Sequence, residues 1–247
     1  MSVATGVSAD GNVVIGYVNQ GGTVRAFYWT ESTGAQMMMG FGGANIAAND
    51  ISPDGRVVVG YADYPDYRRH ACRWLDPNQP PQDIHTMSNS TLSIAWDVSA
   101  SGDIVVGQYH PTGGTVSLAF RWTPQRGMED LNTVYADLLP IGSVLFHALA
   151  MSPDGRFIVG SGINGLTGRR EVFLLDSGFP AARTAAMSTK TAVWTTPTCW
   201  QCCSPSGRGV SGRSIPAASV LVFGGRLWRR SGLLREWCCC WACWWWS

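Results

Sequence analysis

One ten-residue phrase occurs four times in this 247-residue chain: "VSADGNVVIG" at 7–16, "ISPDGRVVVG" at 51–60, "VSASGDIVVG" at 98–107 and "MSPDGRFIVG" at 151–160. A recurring unit constrains architecture more than any other signal, because each copy must bury a face that it cannot cover alone. Aligned on the turn glycines Gly11, Gly55, Gly102 and Gly155, the copies are 44, 47 and 53 residues apart. A second phrase follows each of these glycines by 15–17 residues: "AFYW" at 26–29, "ACRW" at 71–74, "AFRW" at 119–122 and a degenerate "VFLL" at 172–175.

Each phrase has the chemistry of a turn or a strand. In "DGRVVVG" the apolar run is short, β-branched and closed by glycine, which predicts a buried strand. Asp10, Asp54 and Asp154 sit in Ser-x-Asp-Gly turns, where Ser or Asp hydrogen-bonds nearby backbone and glycine supplies positive φ. "AFRW" alternates sides, sending Phe120 and Trp122 to one face. The unit is therefore four short strands in about 45–50 residues, the pattern of a β-propeller blade. Trp29, Trp74 and Trp122 are expected between blades, each burial stabilising by roughly 2–3 kcal/mol. The fold class expected is all-β: four tandem four-stranded repeats over residues 1–178, forming a partial or open propeller, then an irregular tail over 179–247. The fourth repeat lacks its tryptophan and a clear last strand. Residues 61–70 and 75–92 are expected as loops on one rim, where binding residues tend to lie.

Composition divides the chain at the same place. Residues 1–180 hold 16 acidic and 10 basic side chains, whereas 181–247 hold one acidic residue, Glu236, and eight basic ones. The first part has one cysteine, Cys72; the other seven cysteines and eight of the twelve tryptophans lie beyond it. Read from the third base of each codon, "CCCWACWWW" at 238–246 becomes a run of Leu, Gly and Val, an ordinary apolar segment. The tail is therefore expected to be a frameshifted read-through. No leader with a charged and then an apolar region is visible at the start, which suits a piece of a longer exported product or a cytoplasmic protein. No run reaches the roughly 18–20 apolar residues of a membrane helix.

"A-x-G-V-S-A-D-G-x-V-V-x-G", followed by "A-F-x-W-T", resembles the HAF repeats of bacterial extracellular proteins, above all those in autotransporter passenger regions. "GMEDLNT" at 127–133 and "ALAMSPDGRFIVGSGINGLTGRREVFLLD" at 148–176 are similar to the end of such an array, and the resemblance spans residues 4–176. It implies a propeller-like scaffold, extracellular or outer-membrane-associated in its full-length parent. It brings no catalytic motif.

Other constellations have bland explanations. "GSGING" at 160–165 is followed by a strand pattern, where a dinucleotide site needs a helix. Each turn offers one aspartate, too few oxygens for calcium. The four histidines, His70, His85, His110 and His147, form no recognised catalytic or metal motif; His70 is expected at a strand entrance, and His85 and His110 in solvated loops. "CWQC" and "CWAC" lie too far apart, among too many extra cysteines, for a zinc ribbon. No cofactor, metal or nucleic acid is expected. The best candidate binding loop is Tyr61, Tyr64, Tyr67, Arg68 and Arg69, aromatics interleaved with charge that suit a protein or carbohydrate partner. The function expected is a non-catalytic binding or structural scaffold; the alternative is a propeller-type hydrolase or lyase with its site on the rim. An enzyme of that kind should place acids at equivalent inner-strand positions, whereas Ala4–Val7 and Ala48–Ile51 are mostly small or apolar.

Overall fold

The computed structural model describes residues 1–178 and 191–195. Four antiparallel meanders follow one another. The first comprises β1 (Ser2–Val7), β2 (Val13–Gln20), β3 (Thr23–Thr30) and β4 (Gly34–Met37). The second comprises β5 (Ile46–Ile51), β6 (Val58–Asp63), β7 (Arg69–Trp74) and a two-residue β8 (Gln82–Asp83). The third comprises β9 (Ser90–Val98), β10 (Val105–Pro111), β11 (Leu118–Thr123) and β12 (Gly127–Asp130), and the last β13 (Val144–Met151), β14 (Phe157–Asn164), β15 (Arg169–Asp176) and β16 (Thr191–Thr195). Meanders two and three join through one parallel bridge, Arg69 to Leu92. The only α-helix among the described residues, α1 (Leu131–Val134), is one turn capped by Asp130. None is long and apolar enough to cross a membrane.

The sheets stack face to face as blades, with one apolar cluster in each of the three seams. First strands of successive blades touch one another. Each carries a bulge beside the alanine that precedes the phrase, at Thr5, Asn49, Trp96 and Leu149. A bulge turns its side chain out of the ladder, and two of these side chains reach the next blade: Thr5 Oγ1 donates to the Ala48 carbonyl and Asn49 Nδ2 to that of Ala95, each at 2.7 Å.

The phrase builds one device four times. In the second copy, Ser52 Oγ donates to Asp54 at 2.6 Å and accepts the Val57 N–H at 2.9 Å, while the Gly55 N–H closes on the Ser52 carbonyl with φ of 75°. Ser8 with Asp10 and Ser152 with Asp154 repeat it, and Ser101 replaces the aspartate beside Ser99. The serine bonds hold the Asp10 and Asp54 carboxyls below their usual range. The glycine that ends the phrase is required by close approach. A Cβ on Gly60 would lie 1.9 Å from the Ala47 carbonyl oxygen, and on Gly160 1.8 Å from that of His147.

The tryptophans hold one register but not one environment. Trp29, Trp74, Trp122 and, in the last blade, Leu175 pair with Val14, Val58, Val105 and Ile158. Trp74 and Trp122 are 1% and 3% exposed, and each packs toward the preceding blade. Trp29 remains part-exposed, contrary to the expectation of equal burial, because no described blade precedes its own. Two further expectations change. The long segments divide between rims: 64–68 is the β6–β7 hairpin, and 75–81 joins β7 to β8 at the opposite end, where the Ser-x-Asp-Gly turns lie. The fourth blade takes its outer strand from Thr191–Thr195, beyond the boundary at residue 178. The expected frameshift and irregularity of the rest of the tail lie outside the described residues.

Candidate functional site

The β6–β7 hairpin, residues 64–68, is a tight loop closed by Tyr64 N–H to the Arg68 carbonyl and Tyr67 N–H to the Tyr64 carbonyl. The five side chains singled out from the sequence do three different jobs. Tyr61 belongs to β6, half-buried, with the Arg69 guanidinium 4.2 Å from its ring centre. Arg69 grips buried Asp63 with two bonds, of 2.7 and 3.2 Å. Tyr61 and Arg69 therefore brace the base of the loop. Tyr64 stacks on Phe41, centroids 4.6 Å apart, and its hydroxyl donates to Asp83 at 3.0 Å. Arg68 lies over the Tyr64 ring and pairs with exposed Asp66 at 2.8 Å.

Tyr67 does none of this. It is 92% exposed, and it is the one non-glycine among the described residues with positive φ, at 67°. The corresponding hairpins of blades three and four use Gly113 (φ 74°) and Gly168 (φ 66°). A side chain in this region costs roughly 1–2 kcal/mol relative to the right-handed one, and nothing in the loop recovers that through burial.

Beside Tyr67 a cleft of about 460 Å³ opens between blades one and two, walled by Thr23 and Arg25 of β3, by residues 42–45 and by Asp63, Tyr64 and Pro65. Asn45 fixes both walls: its Oδ1 accepts the Val24 N–H at 3.0 Å and its Nδ2 donates to Asp63 at 2.8 Å. The backbone packs tightly here, since a Cβ on Gly43 would lie 2.3 Å from the Asp63 carbonyl oxygen. Asn45 carries no motif; the "GGAN" before an apolar run was its only signal in the sequence. A second, larger hollow of about 720 Å³ at the opposite rim has no charged side chain in its lining.

Under the hairpin lies a chain of polar groups built on His70, at the entrance of β7 as expected, and on His85, which was expected in a solvated loop and is half-buried instead. His70 is buried, and its Nδ1 meets Asp83 at 2.7 Å. His85 stacks on His70 at 4.2 Å, is half-buried, and contacts the Ser90 carbonyl through Nε2 at 3.0 Å and Ser93 Oγ through Nδ1 at 2.8 Å. The carbonyl only accepts, so Nε2 carries the proton and Nδ1 accepts the serine hydroxyl. Burial and the neighbouring His70 hold His85 below its ordinary pKa. Burial opposes ionisation of Asp83, yet the bonds from His70, the His85 N–H and Tyr64 outweigh it and lower its pKa. The residue types are those of a nucleophilic triad, but the connections are not. Aspartate and serine belong to different histidines, and Ser93 is fully buried while accepting the Ala71 N–H. A hydroxyl so enclosed meets no substrate. The chain ties β7, β8 and β9 together where β8 is too short to do so.

Two acids do occupy equivalent first-strand positions. Asp50 and Asp97 follow the bulges of blades two and three, where blades one and four have Gly6 and Ala150. Their oxygens are engaged by backbone: Asp50 accepts the Val98 N–H at 3.0 Å, and Asp97 the Met151 N–H of the next blade. Among the described residues no three His, Cys, Asp or Glu side chains converge as a metal site.

No protein-family model matches the sequence, and no curated protein is significantly similar to it. Solved structures are similar in fold. TolB from Acinetobacter baumannii superposes with a TM-score of 0.50 at 15% identity, over 71% of this chain and 40% of that one. A putative TolB from Agrobacterium tumefaciens gives a TM-score of 0.50 at 15% identity, over 71% and 58%. The chain thus spans about half the length of these β-propeller proteins, and the likeness establishes the fold alone.

Proposed function

We propose that this chain is a non-catalytic propeller segment of a bacterial surface or secreted protein, holding a protein or carbohydrate partner in the cleft beside the β6–β7 hairpin. The observation that carries this reading is Tyr67, a large aromatic kept in solvent and in a strained conformation where sister blades use glycine. Side chains that cost stability without packing are retained where they touch something else. The cleft falls within the usual volume of ligand sites, and tyrosine and arginine are the side chains most often dominant in binding. Arg25, exposed on the facing wall, supplies charge opposite the tyrosine. The extracellular setting rests on the likeness to HAF repeats. The absence of chemistry rests on the closed state of the His85–Ser93 pair and on the engagement of Asp50 and Asp97 by backbone.

The test is a displayed peptide library and a glycan array, each probed with the native chain, with Tyr67→Gly and with Arg25→Ala. Ligands retained by the native chain and lost by both variants are the expected result. Ligands that bind all three equally would remove the hairpin from the function.

A further inference from the structure

Three seams between blades repeat one contact. In each, the residue that follows the turn in one blade enters the space over the turn glycine of the next, a space that only glycine leaves open. Val13 Cγ2 lies 3.3 Å from the Cβ position of Gly55, Val57 Cγ2 2.5 Å from that of Gly102, and Ile104 Cδ1 2.3 Å from that of Gly155. The two halves of a fourth such contact are both vacant. Gly11 has no atom within 4 Å of its Cβ position, and Phe157, the equivalent of Val57 and Ile104, is 39% exposed where they are 8% and 7%.

The rest of the two free faces agrees. On blade one, Val7 is 59% exposed where its equivalents Ile51 and Val98 are both 5%. On blade four, Val172 is 44% exposed where its equivalents Ala26, Ala71 and Ala119 are fully buried. The turn residues allow the same join. In the first and third seams Ala9 and Ala100 donate their N–H to the carbonyls of Pro53 and Pro153 in the next blade, each at 2.8 Å. The second seam starts from Pro53, which has no N–H, and forms without that bond; a seam from blade four to blade one starts from Pro153 in the same way. No aspartate latch is needed at such a seam, since blade four has Ala150 in that position, just as blade one has Gly6 before the existing first seam. Apolar faces of this extent seek a partner.

We propose that two copies of this chain join head to tail, blade four of each seating on blade one of the other, to close an eight-bladed ring. One chain carries both complementary faces in equal number, so the contact is heterologous and recurs twice around a two-fold axis. Eight blades lie within the usual range of propellers. The surface involved is a whole blade face continuous in kind with the three seams already formed.

Light scattering coupled to size exclusion, over a hundredfold dilution series of the full chain, is expected to show a dimer. Val7→Arg and Phe157→Asp are each expected to give monomers whose circular dichroism matches the native chain and whose melting temperature, unlike that of the native dimer, does not change with protein concentration. Mixing the two variants is expected to restore a dimer, because one seam is then native and the other pairs Arg with Asp. Should either variant fold poorly, Val7→Cys with Ala150→Cys is the second probe, made in a chain whose seven cysteines beyond residue 180 are replaced by serine and whose buried Cys72 is kept. Oxidation should then give a cross-linked dimer that neither single cysteine gives. A native chain that stays monomeric, a dimer broken by only one of the two charged variants, or a ladder of larger multiples would each overturn the closed ring.

Discussion

Asp97 accepts the backbone N–H of Met151 in the following blade, while its carboxyl lies beside that of Asp50 in the blade before. Two carboxyls in contact cannot both ionise freely. Burial, reinforced by the neighbouring Asp50 carboxyl, pushes Asp97 up to about 8. An unfolded aspartate titrates near 3.9, so between these values the folded chain holds a proton that the unfolded chain releases. The contribution of Asp97 to stability is therefore full below about pH 4, declines as the pH rises, and is lost above about pH 8. Urea unfolding from pH 5 to 8.5 should show this decline, at a fraction of the roughly 1.4 kcal/mol per unit that full linkage allows, since Asp97 is part-exposed. Asp97→Asn should flatten the profile and be the more stable form at pH 8.5. An unchanged profile would remove the pair as its source.

Tyr67→Gly should stabilise the chain by about 0.5–1 kcal/mol, the conformational cost removed less the entropy that glycine adds to the unfolded state. The midpoint of urea unfolding reads this directly. A loss of stability would mean that the tyrosine packs in the folded protein, and its retention would need no ligand to explain it.

Trp74→Ala and Trp29→Ala should differ although the residues hold one register. Trp74 is 1% exposed and its Nε1 donates to the Met39 carbonyl at 2.7 Å, so its loss should cost about 3–5 kcal/mol. Trp29, part-exposed, should cost less than about half of that in the monomer. Equal losses under conditions where the chain is monomeric would contradict the assignment of Trp29 to a free face.

Gly60→Ala should be severe and Gly11→Ala mild. The first drives a methyl into the Ala47 carbonyl at 1.9 Å, with no flexible side chain to yield, whereas the second meets nothing and carries only the strain of its φ of 75°. Under conditions where the chain is monomeric, losses of roughly 3 kcal/mol or more and of about 1–2 kcal/mol are expected. Thermal melts of the two variants distinguish these outcomes.

The repeating unit, its turns and its strands were legible in the chain because their causes are local. Ser-x-Asp-Gly closes through atoms two to five residues apart, and alternation in "AFRW" sets which side chains share a face. The prominence of residues 61–69 was legible too, but not its division of labour. Tyr61 and Tyr67 look alike in sequence, yet one lies under an arginine in a strand and the other stands on a left-handed turn. Their difference arises from where the ladder ends.

By itself, then, the sequence determined an all-β chain of four equivalent blades and the position of the turn in each. Only the tertiary structure decided which copy of an equivalent residue is covered. Trp74 and Trp29 each pair with a valine of the strand before, and Trp74 is buried because a blade packs over it, whereas no described blade covers Trp29. The tertiary structure likewise brought Asp50 to Asp97, 47 positions on, and set His70 against His85. Such pairs depend on bulges and on the stacking of separate sheets, and no local pattern of residues encodes the distance between two sheets.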